Sequence, residues 1–114
     1  MPRPSDDTLN RTLLALADPT RRAILRRLAN GDLRVTELAA PFDISLAGVS
    51  KHIRVLERAG LVRRVVSGRE HVLSFDGRAL RHAGEWIAAQ RTFWERRIDA
   101  LEDVLTKRAA RKRS

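Results

Sequence analysis

The chain has 114 residues, 43% of them hydrophobic and 32% charged, so it can bury one core but not two and is not composed like a disordered chain. It has no Cys, which excludes disulfides, thiolate nucleophiles and Cys-based zinc or iron–sulfur sites. Lys and Arg number 23 against 14 Asp and Glu, and the net charge of +9 favours a polyanionic partner, either nucleic acid or an anionic membrane surface.

Met1–Pro4 is expected to be disordered. Ser5 or Asp6 can cap a first helix over about 7–17, where Leu9, Leu13 and Leu16 recur at helical spacing. Asp18-Pro19 starts a second helix of about 19–28, since Asp is a good N-cap and Pro fits the first helical position. Ala23, Ile24 and Leu28 share one face of it, and Asn30-Gly31 ends it. A short third helix is expected over about 36–41, capped by Thr36, with Leu38 inward. After a tight Phe42-Asp43-Ile44 connection, Ser45 caps a fourth helix of about 46–59 whose inward positions are Val49, Ile53 and Leu56. Gly60 stands where a helix C-terminus wants it.

The period then changes from helical to alternating. Residues 61–66 and 69–75 form strands joined at Ser67-Gly68, a two-stranded hairpin with Arg63, Arg64 and Arg69 near its tip. Asp76 caps a long last helix of about 77–107. Leu80, Ile87, Trp94, Ile98, Leu101 and Leu105 fall on a heptad-like grid there, broken at Gly84 and Arg91. Trp86 and Phe93 widen this apolar face beyond what so small a domain can cover. It is therefore expected to be a seam between two copies, the alternative being an intramolecular core.

Charge is unevenly spread. Residues 18–75 hold eleven basic and six acidic side chains, whereas 76–105 hold five and six. The last helix thus suits protein contact and the middle of the chain suits DNA. The 106–114 tail has five basic residues and no acidic one. It is expected to be a disordered end, or else an arm along phosphates. Twenty of the basic residues are Arg, whose planar fork fits phosphates and guanine edges, although a GC-rich coding sequence would give the same bias. No apolar run approaches the ~20 residues of a membrane span. The N-terminus lacks the apolar core of a signal peptide, so a cytoplasmic protein without membrane association is expected.

Two short helices joined by a tight turn and followed by a basic hairpin make a winged helix-turn-helix. The fold class is mostly α with a small β-hairpin (α+β), about five helices and a two-stranded wing, in one domain over 1–105. Opposite its buried stripe the fourth helix presents Ala47, Ser50, Lys51 and Arg54. Ala47 and Gly48 are small enough to let it sink into a major groove. The Ser45 cap leaves main-chain N–H groups for a phosphate. Ser50, Lys51 and Arg54 can reach base edges or phosphates. His52 either donates to a phosphate or packs at the helix boundary. Arg63, Arg64 and Arg69 on the wing can reach the adjacent minor groove or backbone.

The strings DPTRRAILRRLANG, VTELAAPFDISLAGVSKHIRVLERAGLVRR, SGREHVLSFD and GEWIAAQRTFWERRIDALEDVL resemble the ArsR family of bacterial winged-helix repressors, its last helix resembling a branch with Phe-Trp there. The resemblance spans roughly Leu9–Leu105. It implies a homodimer on a palindromic double-stranded DNA operator, with 1–17 and 76–105 as dimerisation helices and 19–75 as the DNA-binding core. Leu9, Leu13, Leu16, Trp86, Ile87, Phe93, Trp94, Ile98, Leu101 and Leu105 would line the dimer interface. It also implies that Ser50, Lys51, His52 and Arg54 lie on the recognition helix and that Arg63, Arg64 and Arg69 lie on the wing. The family's metal sensors carry Cys in the third helix, where this chain has TELAAPF, and only half of their other ligand spacing survives in His82 and Glu85. No metal and no cofactor are expected.

Nothing points to catalysis: there is no nucleophile elbow, no glycine-rich phosphate loop and no paired carboxylates. Glu95, Asp99, Glu102 and Asp103 belong to a solvated helix face. The expected function is a dimeric, sequence-specific transcriptional regulator, a repressor of an operon that includes its own gene. The alternatives are a non-specific architectural DNA-binding protein and a module that binds a protein through Trp86, Phe93 and Trp94. A small-molecule or protein effector is left open.

Overall fold

The computed structural model describes residues 4–113. In chain order the elements are α1 (Pro4–Leu16), α2 (Pro19–Ala29), β1 (Leu33–Arg34), α3 (Val35–Ala39), α4 (Leu46–Arg58), β2 (Val62–Ser67), β3 (Glu70–Phe75) and α5 (Arg78–Arg113). This is the expected mostly helical winged helix-turn-helix. Among the described residues no helix is long and apolar enough to cross a membrane.

The local signals hold where they are strongest. The Asp18 carboxylate accepts from the Arg21 N–H at 3.0 Å, and Pro19 follows at the first helical position. Ser45 Oγ accepts from the Gly48 N–H at 3.1 Å. At the other end of α4, Gly60 N–H reaches the Glu57 carbonyl and Leu61 N–H reaches the Leu56 carbonyl, at 3.0 and 2.9 Å. That pair closes the helix only with residue 60 in the left-handed region, and Gly60 has φ +75°.

Five expectations are corrected. The sheet has three strands in the order β1-β3-β2, because Leu33 and Arg34 pair with Leu73 and Val72. Two residues cannot show an alternation, so only the fold reveals this strand. The hairpin turn is Gly68-Arg69, since Ser67 pairs with Glu70, and Gly68 takes the positive φ of +61°. The start of α3 is Arg34 rather than Thr36; the Glu37 carboxylate reaches back to the Arg34 N–H at 3.0 Å. Helix α1 begins at Pro4, a residue suited to a first turn, while Met1–Arg3 lie outside the described residues. The basic tail is helical, for α5 continues without a breaker to Arg113; Ser114 lies outside the described residues.

The chain divides into two bodies, one ending at Ala83 and one starting at Gly84. The core of the first gathers Ile24, Leu25 and Leu28 from α2, Leu38 from α3, Val49, Ile53 and Leu56 from α4, and Leu61, Val62 and Leu73 around the sheet. Of the expected dimer contacts, Leu9 is buried within its own chain and Leu16 is half-buried against that core. Leu14, at 68% exposure, is the large apolar residue that α1 turns outward among the described residues. The second body is the helical segment from Gly84. Trp86, Ile87, Phe93, Trp94, Ile98, Leu101, Val104 and Leu105 are all exposed on it. The Phe93 and Trp94 rings meet edge to face with centroids 5.5 Å apart.

Replacing Gly60 by Ala forces a Cβ into the left-handed region. The expected loss is about 1–2 kcal/mol of folding free energy, measured as a lowered urea midpoint at unchanged slope.

Candidate nucleic-acid interface

The rotation of α4 about its axis decides what it shows to solvent. Val49, Ile53 and Leu56 are fully buried, so Ala47, Lys51 and Arg54 are turned outward and exposed, with Ser50 half-buried among them. Arg58, one turn beyond Arg54 and also exposed, extends the same side. It was legible from its spacing to Lys51 and Arg54, yet the recognition-helix pattern stops short of it. Lys51, Arg54 and Arg58 have no side-chain partner among the described residues. At the wing tip Arg69 is exposed and equally unpaired.

The other arginines near this face are occupied. Arg64 grips Glu57 of α4 through two bonds of 2.8 and 3.3 Å, and its third arm donates to His71 Nδ1 at 3.0 Å. The Glu57 hydrogen bond raises the Arg64 pKa above its ordinary value. Arg63 donates to Asp76 at 3.1 and 3.3 Å. Asp76 also accepts from the Arg78 side chain and N–H, and these bonds, with Arg63, hold its carboxyl far below the usual carboxylate range. Arg34 bridges Glu37 and Glu70, tying the start of α3 to the wing. Arg63 and Arg64 were expected to contact DNA. Both are held by carboxylates here, and these ties fasten the wing to α4 and to the start of α5.

Two more of the expected residues make contacts within their own chain. His52 is half-buried, with Nδ1 3.3 Å from Arg21 Nη1 and 3.8 Å from an Asp18 carboxylate oxygen. Arg21 in turn donates to the carbonyls of Ala15 and Leu14 at 2.7 and 2.9 Å. His52 is therefore a boundary residue that joins α4 to the α1–α2 corner. The Asp18 carboxyl is lowered, chiefly by the Arg21 N–H it accepts. Gly48 is half-buried, and a Cβ there would stand 3.3 Å from Ser45 Oγ and 3.7 Å from Ile44 Cδ1. Its small size leaves room for the Ser45 cap.

The expected residues thus sort by geometry. Ser45, Ala47, Ser50, Lys51 and Arg54 share the start and outer side of α4. Arg69 stands at the wing tip, and a cleft of about 390 Å³ separates the first turn of α4 from the wing. Such a surface has a narrow helix to enter a groove and mobile cations to neutralise phosphates. Among the described residues no group of three or more His, Asp or Glu is placed to hold a metal, and His82 and Glu85 are both exposed.

A family model described as a helix-turn-helix domain matches residues 16–65. The chain is 42% identical over 100 residues to the HTH-type transcriptional regulator Rv2034 of Mycobacterium tuberculosis, covering 84% of this chain and 87% of that protein. It is 30% identical over 79 residues to the transcriptional repressor SdpR of Bacillus subtilis, covering 69% and 88%. Its structure is similar to the crystal structure of an ArsR family transcriptional regulator, with a TM-score of 0.74 and 41% identity over 79% of this chain and 93% of that one. It is also similar to the solution structure of the homodimeric winged helix-turn-helix DNA-binding domain Mb0332 of Mycobacterium bovis, with a TM-score of 0.61 and 27% identity over 76% and 82%.

Arg64→Ala removes a half-buried, bidentate tie between wing and helix and is expected to cost ~1–2 kcal/mol of stability. Arg69→Ala touches no partner and should stay within about 0.5 kcal/mol of the parent in chemical denaturation. Equal effects of the two substitutions would contradict the division between fasteners and free cations.

Proposed function

The chain belongs to the ArsR family of winged helix-turn-helix transcriptional regulators, and from that premise we propose that it acts as a homodimeric, sequence-specific repressor on a palindromic operator. The observation that carries this is the outer side of α4, where Lys51 and Arg54 are exposed and unpaired beside small Ala47 and Ser50. This side enters the major groove, with Ser50, Lys51 and Arg54 at base edges or phosphates. Ser45 sets the first turn of α4 against the backbone, and Arg58 and Arg69 take phosphates on either flank. Repression is supported by the repressor SdpR among its relatives, and the operon is proposed to include the chain's own gene. A regulator of this kind works in the cytoplasm, where bacterial DNA is.

A dimer follows from the second body. Trp86, Ile87, Phe93, Trp94, Leu101, Val104 and Leu105 lie on one side of α5, each about half exposed. Glu95, Asp99, Glu102 and Asp103 lie on the other. Burying the apolar side against a second copy removes it from water, and the homodimeric Mb0332 supports that occupant. Leu13 and the exposed Leu14 are what α1 has left to offer a partner copy. Two recognition helices in one dimer would read half-sites about 34–36 Å apart.

A salt-titrated gel shift on DNA from upstream of the chain's own gene is the direct test, with an unrelated duplex as competitor. The upstream complex should survive excess competitor, and Arg54→Ala should weaken it by about 1–3 kcal/mol. Equal competition by both duplexes would leave charge alone as the cause of binding and overturn sequence specificity. Trp94→Ala should weaken the dimer by ~3–5 kcal/mol in sedimentation equilibrium; an unchanged dimer would move the seam off α5.

A further inference from the structure

The surface that presents Lys51 and Arg54 also presents apolar side chains at its leading edge. Leu46, the first residue of α4, is 53% exposed, and Ile44 just before it is 44% exposed. Neither is loose. The Ser45 cap fixes the backbone between them, and Ile44 Cδ1 sits where a Cβ on residue 48 would stand 3.7 Å away. Leu46 forms an apolar side of the cleft between α4 and the wing, facing Arg69 and Arg64 across it. Ala47 adds a methyl next to it on the outward side.

A large aliphatic group on a phosphate-binding surface gains nothing from phosphates, sugars or the polar edges of bases. One apolar group does stand in the major groove at a position that varies with sequence, the C5-methyl of thymine. The N-terminal residues of a recognition helix are also the ones that reach base edges. We propose that Leu46, with Ala47 beside it, is a specificity-determining residue that packs on a thymine methyl in each half-site. The inference rests on the major-groove reading of α4 given above and names what its first turn selects. Lys51 and Arg54 then supply charge and polar contacts further along the helix, while Leu46 supplies discrimination that salt does not screen.

The test begins with selection from a random duplex library by the full-length chain, followed by replacement of each thymine of the selected site with deoxyuridine, which removes only the methyl. The parent protein should lose roughly fourfold in affinity for each methyl that Leu46 covers, the value of burying one such group. Leu46→Ala should bind the thymine and deoxyuridine versions of that position equally. The exposed position makes the variant's unfolding midpoint match the parent's, which is measured alongside. Indifference of the parent to every deoxyuridine replacement would overturn the proposal, as would a Leu46→Ala protein that keeps the full thymine preference. Selection that enriches no site would instead overturn sequence-specific binding itself, so the two failures are distinct.

Discussion

The surface proposed to meet DNA depends on one buried stripe. Val49, Ile53 and Leu56 have no exposure, and they key α4 into a core built from α2, α3 and the sheet. A helix anchored along three positions cannot roll, so the opposite side is fixed without any contact of its own. Truncating one of these residues would cost a few kcal/mol, more than any single surface contact is worth. The recognition surface is therefore rigid for the same reason that the core is stable.

A second constraint is electrostatic. The net charge says that the chain attracts polyanions, but it does not say which cations are available. Arg21 and Arg22 collect main-chain carbonyls at the end of α1. Arg34, Arg63, Arg64 and Arg78 are held by carboxylates. These ties brace the α1–α2 corner and the wing, and through Glu57 they brace α4 itself. What is left at the proposed interface is a short set, Lys51, Arg54, Arg58 and Arg69, placed by a frame made of other arginines. A basic residue in a basic protein can be structural, and only its partner tells which it is.

Much of the fold is legible because its signals are local. Asp18-Pro19, Ser45 and Gly60 mark helix ends by hydrogen-bonding rules that act over three to five residues, and each stands where those rules put it. The helical spacing of Val49, Ile53 and Leu56 fixes the inner side of α4, and hence the outer positions of Ala47, Lys51 and Arg54. The missed features are the non-local ones. Strand β1 exists because Leu33 and Arg34 meet β3 across some forty residues of chain. The start of α3 was misplaced because a Glu reached back to a cap residue whose own side chain does not mark a helix end. Leu9 and Leu16 carry a helical apolar pattern, but a pattern cannot say whether it faces its own chain or another.

Apart from the family, which came from a resemblance, the sequence alone determined the helix-turn-helix with its wing, the outer side of α4 and the contrast between a basic middle and a near-neutral last helix. These follow from spacing, capping and charge along the chain, and each is a short-range property. Tertiary structure decided which charged groups are free. Arg64 meets Glu57, Arg63 meets Asp76 and His52 meets Arg21 only because the fold brings separate elements within about 3 Å. Hydrogen bonding at that range is set by coordinates in space, and periodicity carries no information about it.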